Sequence, residues 1–268
     1  MCRRMEANTR KQDLFGRGFT DGVGDLPHDD RLYISQILLV LASSPLAWTG
    51  HNAFSMIGYS MGGGIAVNFS RYYPNTLRSL ILLAPSGLIR PESIGAGARL
   101  AFSSGIVPER LLTFFASRRL QQPIASSRAK KIPASDPRVA IAAAEIADPA
   151  NKTGTLRVEQ HVLKYVRWMV INHLGFVPAF MSCVQYAPLM EQHESWRHLA
   201  RRKPGSSAVF FAASDEIIDH LDYERNGLPL AGGKDNLHWR VLPGAHDFVM
   251  THSQEVIQAV NDFWDKPR

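Results

Sequence analysis

Serine, histidine and aspartate, three side chains able to pass a proton among themselves, each occur in this sequence just after a run that reads as a strand. Ser60 lies in Gly58-Tyr59-Ser60-Met61-Gly62, a G-x-S-x-G pattern that a chain of this length meets by chance about 0.1 times. The apolar stretch Ala53–Ile57 precedes it and a helical stretch from Met61 follows. Ser60 therefore occupies a sharp strand-to-helix turn of the kind that holds a hydroxyl out over the end of a sheet. Gly58 and Gly62 leave room for that turn and for close packing of helix on strand, and Gly63 and Gly64 extend the small surface. At the start of the helix the Met61 N–H has no helical acceptor, so it can donate to negative charge developing on an oxygen.

A serine hydroxyl is a poor nucleophile at neutral pH and needs a base, itself oriented by a carboxylate. Ala208–Ala213 (AVFFAA) reads as a strand that runs into Ser214-Asp215-Glu216-Ile217-Ile218, and Leu237–Leu242 (LHWRVL) as one that runs into Pro243-Gly244-Ala245-His246. Asp215 and His246 thus sit in loops at carboxyl ends of strands, where catalysis gathers in open parallel sheets. Glu216 and Asp219 compete with Asp215 for the acid. His238, inside a strand, and His252, at a helix start, are the weaker candidates for the base. The order Ser60, Asp215, His246 suits acyl transfer on such a scaffold.

The elements that must position these residues alternate along the chain. Asp29 or Asp30 caps a helix to about Ser44, with Leu32, Ile34, Ile37, Leu38 and Leu41 at helical spacing and Pro45 ending it. Met61–Tyr72 reads as a helix, and Leu77–Ala84 (LRSLILLA) as a fully buried strand closed by Pro85-Ser86-Gly87. Strand, helix, strand is a βαβ unit and implies a parallel sheet. From about 88 to 203 the periods are helical and prolines recur; after Pro204-Gly205 the alternation resumes and ends in a helix over Ser253–Trp264. The expected organisation is a core in two pieces, 1–87 and 204–268, around a helical cap at 88–203.

With these motifs in register, the sequence resembles the α/β-hydrolase superfamily, in its capped branch with S-M-G-G at the nucleophile. That branch includes esterases, carbon–carbon bond hydrolases and related acyl-processing enzymes. The segment Asp13-Leu14-Phe15-Gly16-Arg17-Gly18-Phe19-Thr20 stands for the family's D-x-x-G-x-G-x-S loop, with Thr for Ser. The resemblance implies an α/β fold with a mostly parallel sheet and an inserted helical cap. It also implies a serine hydrolase of ester, thioester or lactone bonds with Ser60, His246 and Asp215 as triad, Met61 in the oxyanion hole and no cofactor. An acyltransferase or a carbon–carbon bond hydrolase would use the same triad. Tyr59, Trp168 and Phe176 are candidates for substrate contact, the last two within the apolar stretch Val162–Met181. In the family, further strands precede the D-x-x-G-x-G loop, and the turn after the third supplies a second oxyanion donor. Here the residues before Asp13 are mostly polar and hold no apolar run that could be a strand. The expectation is therefore a truncated form whose sheet lacks its first half and whose Ala53–Ile57 strand is an exposed edge; a form impaired or silent for want of that donor is the alternative to the active hydrolase.

Composition narrows the alternatives. The chain has 268 residues, 45% hydrophobic and 20% charged, as in soluble globular proteins. With two cysteines, Cys2 and Cys183, it carries no disulfide framework and no CxxC metal pattern. His161 and His173, or His193 and His198, are not spaced as metal ligands on one helix face. The basic N-terminus lacks the apolar segment of a secretory signal, and no apolar run reaches the length of a membrane span. A cytoplasmic protein acting on a small acyl substrate, without stable membrane insertion, is expected. The net charge of +6 concentrates at Arg118, Arg119, Arg128, Lys130 and Lys131 and at Arg197, Arg201, Arg202 and Lys203. These clusters lack interleaved aromatics and read as solvated faces, not as a nucleic-acid surface.

Overall fold

A computed structural model describes residues 11–90, 109–121 and 149–266. Cys2 and the basic residues Arg128, Lys130 and Lys131 lie outside the described residues. Four strands, β1 (Phe54–Tyr59), β2 (Leu77–Leu83), β3 (Ser207–Ala212) and β4 (Leu237–Leu242), form one parallel sheet in the order β1-β2-β3-β4. The register aligns Gly58 with Leu82, Leu82 with Val209, and Val209 with Trp239. β3 is buried at every position and β2 at all but Arg78, which is why both read as unbroken apolar runs. Leu80, Ile81 and Leu82 are fully buried, and each side chain so removed from water contributes about 1.5–3 kcal/mol.

Parallel neighbours need crossovers, and helices supply them. Helix α1 (Asp30–Ala42) starts at Asp29, whose carboxylate accepts from the Leu32 N–H. α2 (Met61–Tyr72) joins β1 to β2 and is buried from Gly63 through Ser70. Among the described residues every regular element between β2 and β3 is helical: α3 (Glu109–Leu120), α4 (Pro149–Asn172), α5 (Phe176–Tyr186) and α6 (His193–Leu199). Ala116, Met169, Phe176, Val177 and Met181 give α3, α4 and α5 a small core of their own. α6 differs, because Trp196 and Leu199 are fully buried in the main core beside the sheet. The insert expected to run to residue 203 thus closes with a helix that belongs to the sheet's packing. α7 (His220–Leu230) crosses from β3 to β4, and α8 (Phe248–Thr251) and α9 (Ser253–Asp265) follow β4.

Among the described residues no strand pairs with the outer side of β1, and Ile57 is 43% exposed there. Among the described residues β1 is thus the edge strand that was expected. Within the basic segment 197–203, Arg202 is turned inward, donating from Nε to Ser207 Oγ at 2.8 Å and from Nη2 to the Leu77 carbonyl at 3.4 Å. It ties α6's end to the start of the sheet and is not part of a solvated face.

Candidate active site

β1 delivers Ser60 at its carboxyl end, between the last strand residue and the first helical one. Its backbone is held at φ 53°, ψ −122°, a conformation that costs a non-glycine residue about 1–3 kcal/mol and persists only where the surroundings over-determine it. Here they do: the Ser60 N–H donates to Leu83 O at 2.9 Å, and Ser60 O accepts from the N–H groups of Gly63 and Ser86, both at 2.9 Å. The turn is possible because its neighbours lack side chains. A Cβ on Gly58 would stand 2.4 Å from Gly62 O, one on Gly63 2.7 Å from Pro85, and one on Gly64 2.6 Å from Pro188 O. Gly62 departs from the expectation: a Cβ there would meet nothing within 4 Å, so the crowding falls on Gly58, Gly63 and Gly64. Gly58→Ala should lower stability by about 1–3 kcal/mol through overpacking against backbone, whereas Gly62→Ala should cost little. Urea unfolding of both variants checks the contrast.

His246 arrives from the loop after β4 and is nearly buried. Its Nε2 lies 2.9 Å from Ser60 Oγ, and its Nδ1 lies 2.8 Å from Asp215 Oδ2 and 3.1 Å from Oδ1. The Asp215 side chain has no solvent exposure. It is held by its own loop, since Oδ1 accepts from the N–H groups of Ile217 at 2.9 Å and Ile218 at 2.8 Å. The rival acids do other work. Glu216 accepts from the backbone N–H of His246 at 3.3 Å, and Asp219 caps α7 by accepting from the N–H groups of Leu221 and Asp222. Of the rival bases, His238 faces Lys266 at 3.1 Å and His252 faces Thr251 Oγ1 at 3.0 Å.

Tyr59, expected as a substrate contact, has its hydroxyl committed elsewhere: it donates to the His246 carbonyl at 2.7 Å, and its ring packs on the imidazole with centroids 5.3 Å apart. Burial, reinforced by the nearby carboxylates of Asp215, Asp247 and Glu216, pushes the phenol well above its ordinary range, so it stays a neutral donor. Sequence gives no sign of this bond, which joins residues 187 positions apart. Tyr59→Phe removes one neutral hydrogen bond behind the base and should lower turnover by about two- to tenfold with little change in KM; steady-state kinetics on a soluble ester measures it.

The Met61 N–H opens α2 beside the Ser60 hydroxyl and has no acceptor among the described residues. Trp168 is 42% exposed on α4, with its ring against Phe19 and Tyr165. Phe176 is buried in the small core of α3, α4 and α5, beneath the Arg17 guanidinium at 5.2 Å. Neither has a described contact with Ser60, Asp215 or His246. Among the described residues no three His, Cys, Asp or Glu side chains come together as a metal-holding group, and no helix is long and apolar enough to cross a membrane.

Solved structures match this fold over nearly all of the chain. A bromoperoxidase from Bacillus anthracis superposes with a TM-score of 0.63 at 12% identity, covering 95% of this chain and 80% of its own. MGS-M2, an α/β hydrolase enzyme from a Medee basin deep-sea metagenome library, gives 0.60 at 13% identity, covering 96% and 78%. The chain has the α/β-hydrolase fold. A thermophilic esterase from Thermogutta terrifontis shares that fold at a TM-score of 0.53 and 17% identity, covering 94% of this chain and 77% of its own. No protein-family model matches the sequence, and no curated protein does. Within the α/β-hydrolase fold Ser60 stands on the turn between the strand β1 and the helix α2, with Asp215 and His246 on loops at the same rim of the sheet.

Proposed function

We propose that this chain is a serine hydrolase that cleaves a carboxylic ester, or a related thioester or lactone, through an acyl-enzyme. The observation that carries the reading is the unbroken relay from Ser60 Oγ through the His246 imidazole to the buried Asp215 carboxylate, at 2.9 and 2.8 Å. Asp215 fixes the proton on Nδ1, which leaves the Nε2 lone pair aimed at the serine hydroxyl. As Ser60 Oγ attacks the carbonyl carbon, its proton passes to Nε2, and Asp215 stabilises the imidazolium that forms. The Met61 N–H donates to the oxyanion of the tetrahedral intermediate. Collapse of that intermediate expels the alcohol or thiol, which takes the proton back from Nε2. Water, deprotonated by the same nitrogen, then attacks the acyl-enzyme, and the second tetrahedral intermediate collapses to the acid as Ser60 Oγ takes the proton back from Nε2.

A fluorophosphonate probe forms a stable bond only with an activated serine, so the folded protein should be labelled stoichiometrically at Ser60, located by peptide mass spectrometry. A p-nitrophenyl ester series of increasing acyl length would then define the substrate. A folded preparation that takes up no label and turns over no ester would overturn the reading in favour of a silent hydrolase-like protein.

A further inference from the structure

Five large apolar side chains stand in water on one side of the molecule: Phe19 (82% exposed), Tyr165, Trp168, Ile171 (70%) and Leu174 (95%). They come from two segments, the 13–22 loop and the end of α4 with the turn after it, and the contacts between those segments make them one surface. Phe19 packs on Trp168 with ring centroids 5.9 Å apart, and Trp168 stacks on Tyr165 at 6.0 Å with the rings 5° from parallel. Ile171 follows Trp168 by one helical step, and Leu174 projects from the turn that is fastened to the loop. The fastening is a 3.0 Å hydrogen bond between His173 Nε2 and the Thr20 carbonyl, together with backbone contact of Gly22 on Gly175, where a Cβ on Gly175 would stand 2.8 Å from Gly22 N. Burial of the opposite face of α4, at Met169, sets this orientation.

Isolated exposed hydrophobics are ordinary, but a contiguous aromatic and aliphatic surface marks an interaction site. The residue types in and around it narrow the partner. From Gln160 to Met190 the chain contains no Asp or Glu, while Lys164 and Arg167 are exposed on the same helix. Two carboxylates lie on the loop itself, Asp13, whose oxygen accepts from the Phe19 N–H at 3.1 Å, and Asp21, which is exposed. Trp and Tyr rings with an aliphatic tip, bordered by cations, match the boundary between anionic headgroups and acyl chains. We propose that this surface seats the protein on an anionic phospholipid bilayer, with Phe19, Trp168 and Leu174 entering the interface and Lys164 and Arg167 facing the headgroups. Docking is peripheral and reversible, and it stands independently of the reaction proposed for Ser60.

Flotation with phosphatidylcholine vesicles, with and without phosphatidylserine, tests it on the full chain. Wild type should float with the phosphatidylserine vesicles at low salt and bind pure phosphatidylcholine more weakly. The Phe19→Ser/Leu174→Ser variant should partition at least about tenfold less. Lys164→Gln, which leaves in place the bond from Arg167 Nε to the Gln121 carbonyl at 3.2 Å, should lose about fivefold on the anionic vesicles alone, because only charge attraction is removed. Melting curves of both variants should match wild type; Leu174→Ser alone, at a 95% exposed position, replaces the first variant if its curve does not. Absence of wild-type binding, or equal binding by the Phe19/Leu174 variant, would overturn the proposal. So would a wild-type dimer that this variant turns into monomer without any vesicle binding, since the surface would then belong to a second copy of the chain.

Discussion

Ser60→Ala should abolish fluorophosphonate labelling and lower ester turnover by about 10⁴-fold or more, to a residue set by the remaining binding and oxyanion contacts. The size of the effect follows from the geometry. In the proposed reaction the imidazole and carboxylate behind Ser60 act only through its hydroxyl, so all the activation they provide would be lost with one oxygen atom. Stability should move the other way or hardly at all. Ser60 holds a left-handed backbone at φ 53° that alanine tolerates no better, but its side chain accepts no capping bond from α2 and is not needed by the turn. A melting curve like that of wild type combined with absent labelling is the expected result, and turnover within tenfold of wild type would remove Ser60 from the mechanism.

Asp215→Asn should lower turnover by about 10⁴-fold while leaving the fold in place. The asparagine carbonyl can keep accepting from the Ile217 and Ile218 N–H groups, so the loop keeps its shape. Its amide then faces His246 Nδ1 as a donor, which drives the imidazole proton onto Nε2. That nitrogen would donate to Ser60 Oγ and could no longer take its proton. Glu216→Gln is the control. A glutamine oxygen can still accept from the His246 backbone N–H, so the loss should stay within about threefold. Steady-state kinetics on a soluble ester ranks the two, and the opposite ranking would reassign the acid.

Much of this site was legible in the sequence because its parts are local. The strand, turn and helix around Ser60 are consecutive, and the loops carrying Asp215 and His246 follow apolar runs that could only be buried strands. β4 and α2 fall at the expected residues, and β1 and β3 within one or two of them. What was illegible depends on residues distant in sequence or on competing uses of one side chain. α7 is not legible in the sequence: Gly227 and Pro229 interrupt a segment with few apolar residues, and its cap, Asp219, is equally readable as a catalytic acid. The Tyr59 hydroxyl could be assigned to His246 only once both loops were in place. The steric demand on Gly63 and Gly64 rather than Gly62 depends on Pro85, Ser86 and Pro188, which meet α2 only in the folded chain.

The bond between Ser60 and His246 joins residues 186 positions apart, and it spans the whole sheet's assembly from β1 to the loop after β4. Loop closure over such a separation, through parallel pairings that each require a crossover, is slow and comes after local structure has formed. In the reaction proposed for Ser60, activation of the hydroxyl on refolding therefore requires β4 to have docked, because only then does His246 stand beside it.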